Sequence, residues 1–264
     1  ILSDVKNIFA GKVATVVVTS TDNILISSMI SITTVGYYSN YSMIIGYVQT
    51  FLTQITQSLQ AGLGHLLATE SKGYAYTTLK RMTLILHFIA SFCSVCLFVL
   101  LTPFVKVWLG DGYTLDNATV ALSVFSFYLQ IVKYPLWFSL GGVGYFAKDR
   151  NIAIFGAASN LVVSIIAAKL WGLPGIFIGT VFSQITQWIL KAELFMHKYL
   201  EKPMGEYLLI SGGLMTLTVL MSAGLTLLVD VLSIANPTAD FFARLLGCLL
   251  FPNLANFLLF RKTD

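Results

Sequence analysis

Eight apolar stretches run through this chain of 264 residues, at about residues 13 to 32, 41 to 67, 82 to 102, 118 to 141, 152 to 171, 174 to 195, 207 to 229 and 241 to 260. Each comes near the ~20 apolar residues that a helix needs to cross a hydrocarbon core. Only helices or closed barrels satisfy their backbone groups in lipid, and stretches of this length point to helices. The expected fold is all-α: a polytopic transmembrane bundle of about eight helices.

Lysine and arginine fall in every second gap. Lys6 and Lys12 precede the first stretch. Lys72, Lys80 and Arg81 follow the second, Lys148 and Arg150 the fourth, Lys191 lies at the end of the sixth with Lys198 and Lys202 after it, and Arg261 and Lys262 follow the eighth. Of the other gaps, one holds Lys106 and one is bordered by Lys169, and Lys133 and Arg244 lie deeper inside stretches. The bias of cytoplasmic loops toward basic residues then predicts that both termini are cytoplasmic, which an even number of crossings allows. Loop lysines also explain the net charge of +4, so no nucleic-acid partner is expected. Charged residues make up 11% of the chain, against about 25% in soluble domains, and the mean hydropathy is +0.80.

Polar side chains in lipid-spanning helices face protein or water, so polar stripes mark interior surfaces. On the second stretch Thr50, Thr53, Gln54, Gln57, Gln60 and His65 share one face at 100° per residue, opposite Phe51, Leu52, Ile55 and Leu59. The stripe is read as a cavity wall, with interhelical hydrogen bonding as the alternative. Further stripes are Thr15, Thr19, Asp22 and Asn23 on the first stretch, and His87, Ser91 and Ser94 on the third. Ser123, Ser126, Gln130, Lys133, Tyr134 and Trp137 follow on the fourth, and Thr180, Ser183, Gln184, Gln187 and Lys191 on the sixth. A shared aqueous cavity accounts for them together.

Asp22 and Lys133 lie near the middle of their stretches, where an ionised group costs ~2.5–3.5 kcal/mol on insertion scales. Either they neutralise one another, or they bind a ligand and a coupling ion. Pro135 lacks a backbone donor and should kink the helix beside Lys133. His65 is expected at the cytoplasmic mouth, and His87 as a packed histidine. Arg244 is either an interfacial anchor or a lipid-phosphate ligand. Cys93, Cys96 and Cys248 read as packing thiols, because the C-x-x-C spacing sits inside an apolar helix without a partner pair. No catalytic set, Walker loop or metal-spaced histidines are present, so neither catalysis, a cofactor nor a resident metal is expected.

Four segments carry a resemblance: VGYYSNY (Val35 to Tyr41), LATES (Leu67 to Ser71), FAKDR (Phe146 to Arg150) and GIFIGT (Gly175 to Thr180). Over nearly the whole chain, and most over residues 20 to 200, the sequence resembles the bacterial polysaccharide repeat-unit flippases of the multidrug/oligosaccharidyl-lipid/polysaccharide exporter superfamily. The resemblance implies residues 1–202 as a second six-helix lobe, residues 203–264 as two further helices, and a first lobe outside this sequence. The chain opens on Ile1 and enters its first stretch almost at once, which also leads us to expect a piece of a longer protein.

Membership in such a family implies transport and not catalysis. The implied substrate is a polyprenyl-pyrophosphate-linked oligosaccharide, flipped by alternating access across the bacterial cytoplasmic membrane. Membrane lipids, the other lobe and a polysaccharide polymerase are the implied partners. Asp22, Gln54, Gln57, Gln60, His65, Gln130, Lys133, Tyr134, Gln184, Gln187 and Lys191 are the cavity candidates, the amides for glycan hydroxyls and the cations, with Arg244, for the pyrophosphate. In one departure, Asn23 follows Asp22 where family members often carry lysine, which leaves Lys133 as the main mid-membrane cation.

Two competing readings remain. A multidrug or organic-cation antiporter of the same superfamily would want carboxylates in the cavity. A membrane-embedded glycan polymerase or acyltransferase would want a larger outside loop or paired acid and base groups.

Overall fold

A computed structural model of the chain describes residues 2–231 and 236–260, and they are almost wholly helical with no strand among them. The helices are α1 (Leu2–Leu25), α2 (Ile32–Thr69), α3 (Lys72–Leu109), α4 (Asn117–Val132), α5 (Tyr134–Val143), α6 (Phe146–Trp171), α7 (Leu173–Phe195), α8 (Gly205–Val231) and α9 (Pro237–Phe260). Wide π-type turns at Ile26–Ile30 and Met196–Leu200 extend α1 and α7. Arg261 and Lys262 lie outside the described residues, as do the side chains of Thr15 and Thr19.

The helices run past the apolar stretches that announced them. Hydropathy marks the part suited to lipid, whereas backbone hydrogen bonding continues into polar flanks until a cap stops it. Ser31 and Ser71 cap α2 and α3, their hydroxyls accepting from the Thr34 and Tyr74 backbone N–H at 3.0 and 3.3 Å, and Asp116 caps α4 by accepting from Thr119 N–H at 2.8 Å. Gly144 ends α5 at φ 80°, a left-handed conformation that only glycine adopts without strain.

Among the described residues, five segments are long and apolar enough to cross a membrane: residues 72–109, 117–143, 146–171, 173–200 and 205–231. Helix α2 is long as well, but its amide and hydroxyl stripe dilutes its hydropathy. Large exposed apolar side chains such as Leu170, Trp171, Leu209, Leu220 and Leu227 give α6 and α8 the outward surface of a membrane protein.

The chain runs up and down. One end, here the basic end, joins the start of α1 to the start of α6 through Arg150 and Asn7 at 2.6 Å, and the end of α2 to the turn after α7 through Tyr199 and the Leu67 carbonyl at 2.6 Å. Lys72–Glu201 at 2.5 Å and Lys80–Glu206 at 2.6 Å tie α3 to the segment before α8 and to its first turn. At the far end the Tyr41 hydroxyl accepts from Leu115 N–H at 3.2 Å, and Arg244 of α9 reaches Asp230 of α8 at 2.7 Å.

The fourth stretch breaks at Lys133, a turn at φ −78°, ψ −15° between α4 and α5. Pro135 sits in the first turn of α5, where its missing N–H would have had no helical partner. The break next to Lys133 agrees with the expectation from Pro135.

Candidate functional site

A cavity of about 520 Å³ opens near the basic end between α1, α2, α5, α6 and α7. Its polar lining is Lys12 and Asn7 from α1, Gln57 and Gln60 from α2, Tyr134 and Trp137 from α5, Asp149 from α6, and Gln187 and Lys191 from α7. The glycine at 156 decides how near two of the walls come. A side chain at Gly156 would collide with the side chain of Gln187, so glycine is what lets that amide lie between α6 and α7.

Two ammonium groups meet on one indole. Lys191 Nζ lies 3.8 Å and Lys133 Nζ 5.0 Å from the centre of the Trp137 ring, within range of attraction to its negative face. Lys191 is also ion-paired to Asp149, and the two partners differ in burial: the Lys191 side chain is 2% exposed and that of Asp149 35%. Lys133 has no carboxylate within ion-pair distance among the described residues. Trp137 and the turn at Lys133 therefore hold a cation in place without neutralising it.

Asp22 lies elsewhere. The Thr180 hydroxyl donates to its carboxylate, 3.1 Å from Oδ1 and 3.2 Å from Oδ2, and accepts from Asn160 Nδ2 at 3.1 Å. This cluster joins α1, α7 and α6 in the half of the bundle toward the far end, where Leu25, Ile26, Ile176 and Phe177 pack beside it. Of the two sequence alternatives for Asp22 and Lys133, mutual neutralisation is not what the geometry shows, because each side chain has a different partner.

The other candidates separate. Gln57, Gln60, Tyr134, Gln187 and Lys191 line the cavity. Gln130 instead accepts from Gln49 Nε2 at 2.7 Å, and Gln184 donates to Ser126 Oγ at 2.7 Å, so both belong to helix–helix seams. Tyr134 does both, since its hydroxyl also pairs with Thr53 at 2.9 Å. Gln54 and His65 are exposed and outside this cavity's lining. His87 is fully buried, with Nδ1 2.8 Å from the Tyr128 hydroxyl, as a packed histidine would be.

Arg244 is held by Asp230 at 2.7 Å and Asp240 at 2.8 Å. A lipid phosphate would have to displace two carboxylates to reach it. The three cysteines are free thiols, and Cys93 and Cys96 border an apolar groove with Ile44, Val48, Leu97 and Phe241.

Sequence reasoning missed Asp149, Asn160 and Gln49. Asp149 stood inside the FAKDR segment, and its place in the first turn of a helix facing α7 was the missing information. Asn160 could have been found, because it lies four residues before Ser164 in the middle of an apolar run.

Comparison with protein-family models, curated proteins and solved structures gives no match for this chain.

Proposed function

We propose that the chain belongs to a transporter that flips polyprenyl-pyrophosphate-linked oligosaccharide repeat units from the inner to the outer leaflet by alternating access, with both of its termini in the cytoplasm. The observation that carries the proposal is the cavity near the basic end, where two lysines on one indole adjoin the amides of Gln57, Gln60 and Gln187. A pyrophosphate asks for clustered cations, and a glycan for amides and an aromatic face. If the basic end is cytoplasmic, as its lysines imply, the cavity opens where a lipid-linked precursor made inside would enter. Bacterial surface-polysaccharide synthesis is the process that this reading serves.

The drug-antiporter reading is weaker on this geometry. Asp149 is the only acid in the cavity lining among the described residues and is already paired with Lys191, so a cationic drug finds no free counter-charge.

The test uses the native protein in its own cells. Lys133→Ala should abolish surface-polysaccharide export while membrane abundance stays normal, and Lys133→Arg should keep part of it, because charge survives but the compact ammonium does not. Lipid-linked repeat units should accumulate on the inner leaflet. Normal export by Lys133→Ala, or lost drug resistance with unchanged surface glycan, would sink the proposal.

A further inference from the structure

Two cations that share the Trp137 ring, Lys133 and Lys191, stand in or beside the cavity against one carboxylate, Asp149, among the described residues, while Lys12 lies exposed in its lining. Charges in a poorly hydrated site demand compensation, and once Asp149 leaves, Lys133 and Lys191 fall short by two negative charges. A diphosphate esterified at both ends carries about two at neutral pH, because each phosphorus keeps one acidic oxygen.

The Asp149–Lys191 pair is asymmetric in a way that matters. Lys191 is almost wholly enclosed and has Trp137 against its ammonium, so it cannot follow a departing partner. Asp149 is one-third exposed and sits in the first turn of α6, where a rotamer change carries its carboxylate into water without disturbing the helix. The mobile member of the pair is the anion.

We infer that Asp149 holds the place of the ligand's diphosphate: it neutralises Lys191 in the empty cavity, and an entering diphosphate displaces it to bridge Lys191 and Lys133. Resting on the proposed anionic ligand, this makes Asp149 a specificity-determining residue. A weak single-charge anion cannot compete with a tethered carboxylate, whereas a diphosphate gains both lysines at once. The neighbouring Arg150 bonds Asn7 of α1 at the cavity rim, a contact that a turn of the Asp149 side chain leaves in place.

The experiment titrates the purified chain in detergent with two probes, inorganic pyrophosphate and farnesyl pyrophosphate, following heat release. Asp149→Asn should bind inorganic pyrophosphate about tenfold tighter than the wild type, since the internal competitor is gone, and Asp149→Glu should bind no tighter than the wild type. A structural role alone would lower the stability of Asp149→Asn without improving affinity. Tighter binding of farnesyl than of inorganic pyrophosphate assigns the diphosphate to a lipid; equal binding assigns it to a free anion.

Should Asp149→Asn fail to accumulate, the wild type supplies the answer. Saturating pyrophosphate should raise carbodiimide labelling of Asp149, read by peptide mass spectrometry, because the freed carboxylate enters water. Pyrophosphate binding with equal or lower affinity in Asp149→Asn, or unchanged labelling of Asp149, overturns the inference and leaves the anion cavity standing. Absence of pyrophosphate binding in every variant overturns both.

Discussion

Two ionisable sites are built on the same three helices and come out opposite in kind. Toward the far end, Asn160 of α6 donates to Thr180 of α7, which donates to Asp22 of α1, a packed hydrogen-bonded chain. Toward the basic end, Asn7, Asp149 and Lys191 on the same helices face an open cavity and leave a cation surplus. Packing makes the difference. Gly175 and Gly179 bring the α7 backbone directly against Ala167 and Ser164 of α6, closing the seam, whereas Gly156 admits the side chain of Gln187 and holds the walls apart. Polar residues on tightly packed helices serve as interhelical bonds; those on diverging helices become a binding surface.

The comparison breaks most readily at Gly179. A methyl group there would fall on the Ser164 backbone, which cannot yield as a side chain can. Gly179→Ala should therefore destabilise by about 3 kcal/mol, the upper part of the range for overpacking, and lower membrane abundance. Thermal unfolding in detergent measures it; a loss under about 1 kcal/mol would mean that the seam is looser than the structure has it.

The separation of the two sites is sharpened by a double substitution. Asp22→Asn and Lys133→Ala share no partner, so their effects on stability should add to within about 0.5 kcal/mol. Asp22→Asn should not restore the export that Lys133→Ala removes. Rescue would show that the two charges compensate one another after all, and the sites would be one.

The smallest effect is expected outside both sites, at the exposed Lys72–Glu201 pair. The Lys72 ammonium bonded to Glu201 holds this carboxyl below its ordinary value of 4.5. Lowered in the folded state, it contributes stability that is fully present above that value and is lost as pH falls through the lowered one. The melting-temperature difference between the wild type and Lys72→Ala should thus be slight at pH 7 and vanish in strong acid. A difference that grows on acidification would contradict this.

How much of the site was legible depends on the same physics. The stripe on α2 was visible because the 100° period of a helix is fixed whatever it packs against, and Gln57 and Gln60 do line the cavity. The same pattern also selected Gln130 and Gln184, which the structure spends on Gln49 and Ser126. Periodicity tells which face of a helix is polar, but it does not tell how far the facing helix stands away. Asp149 escaped notice because its role depends on Lys191, forty-two positions later, reaching back to it.

By itself, then, the sequence determined that the chain is helical, where its apolar segments lie, that the fourth breaks beside Lys133, and which faces are polar. These are local consequences of hydropathy, helical period and the missing N–H of Pro135. The tertiary structure alone decided that Asp22 answers Thr180 and not Lys133, that two lysines share the Trp137 ring, and that α1, α6 and α7 close at one end and open at the other. Those outcomes depend on how closely two backbones approach, which glycines far apart in the sequence set only once their helices are side by side.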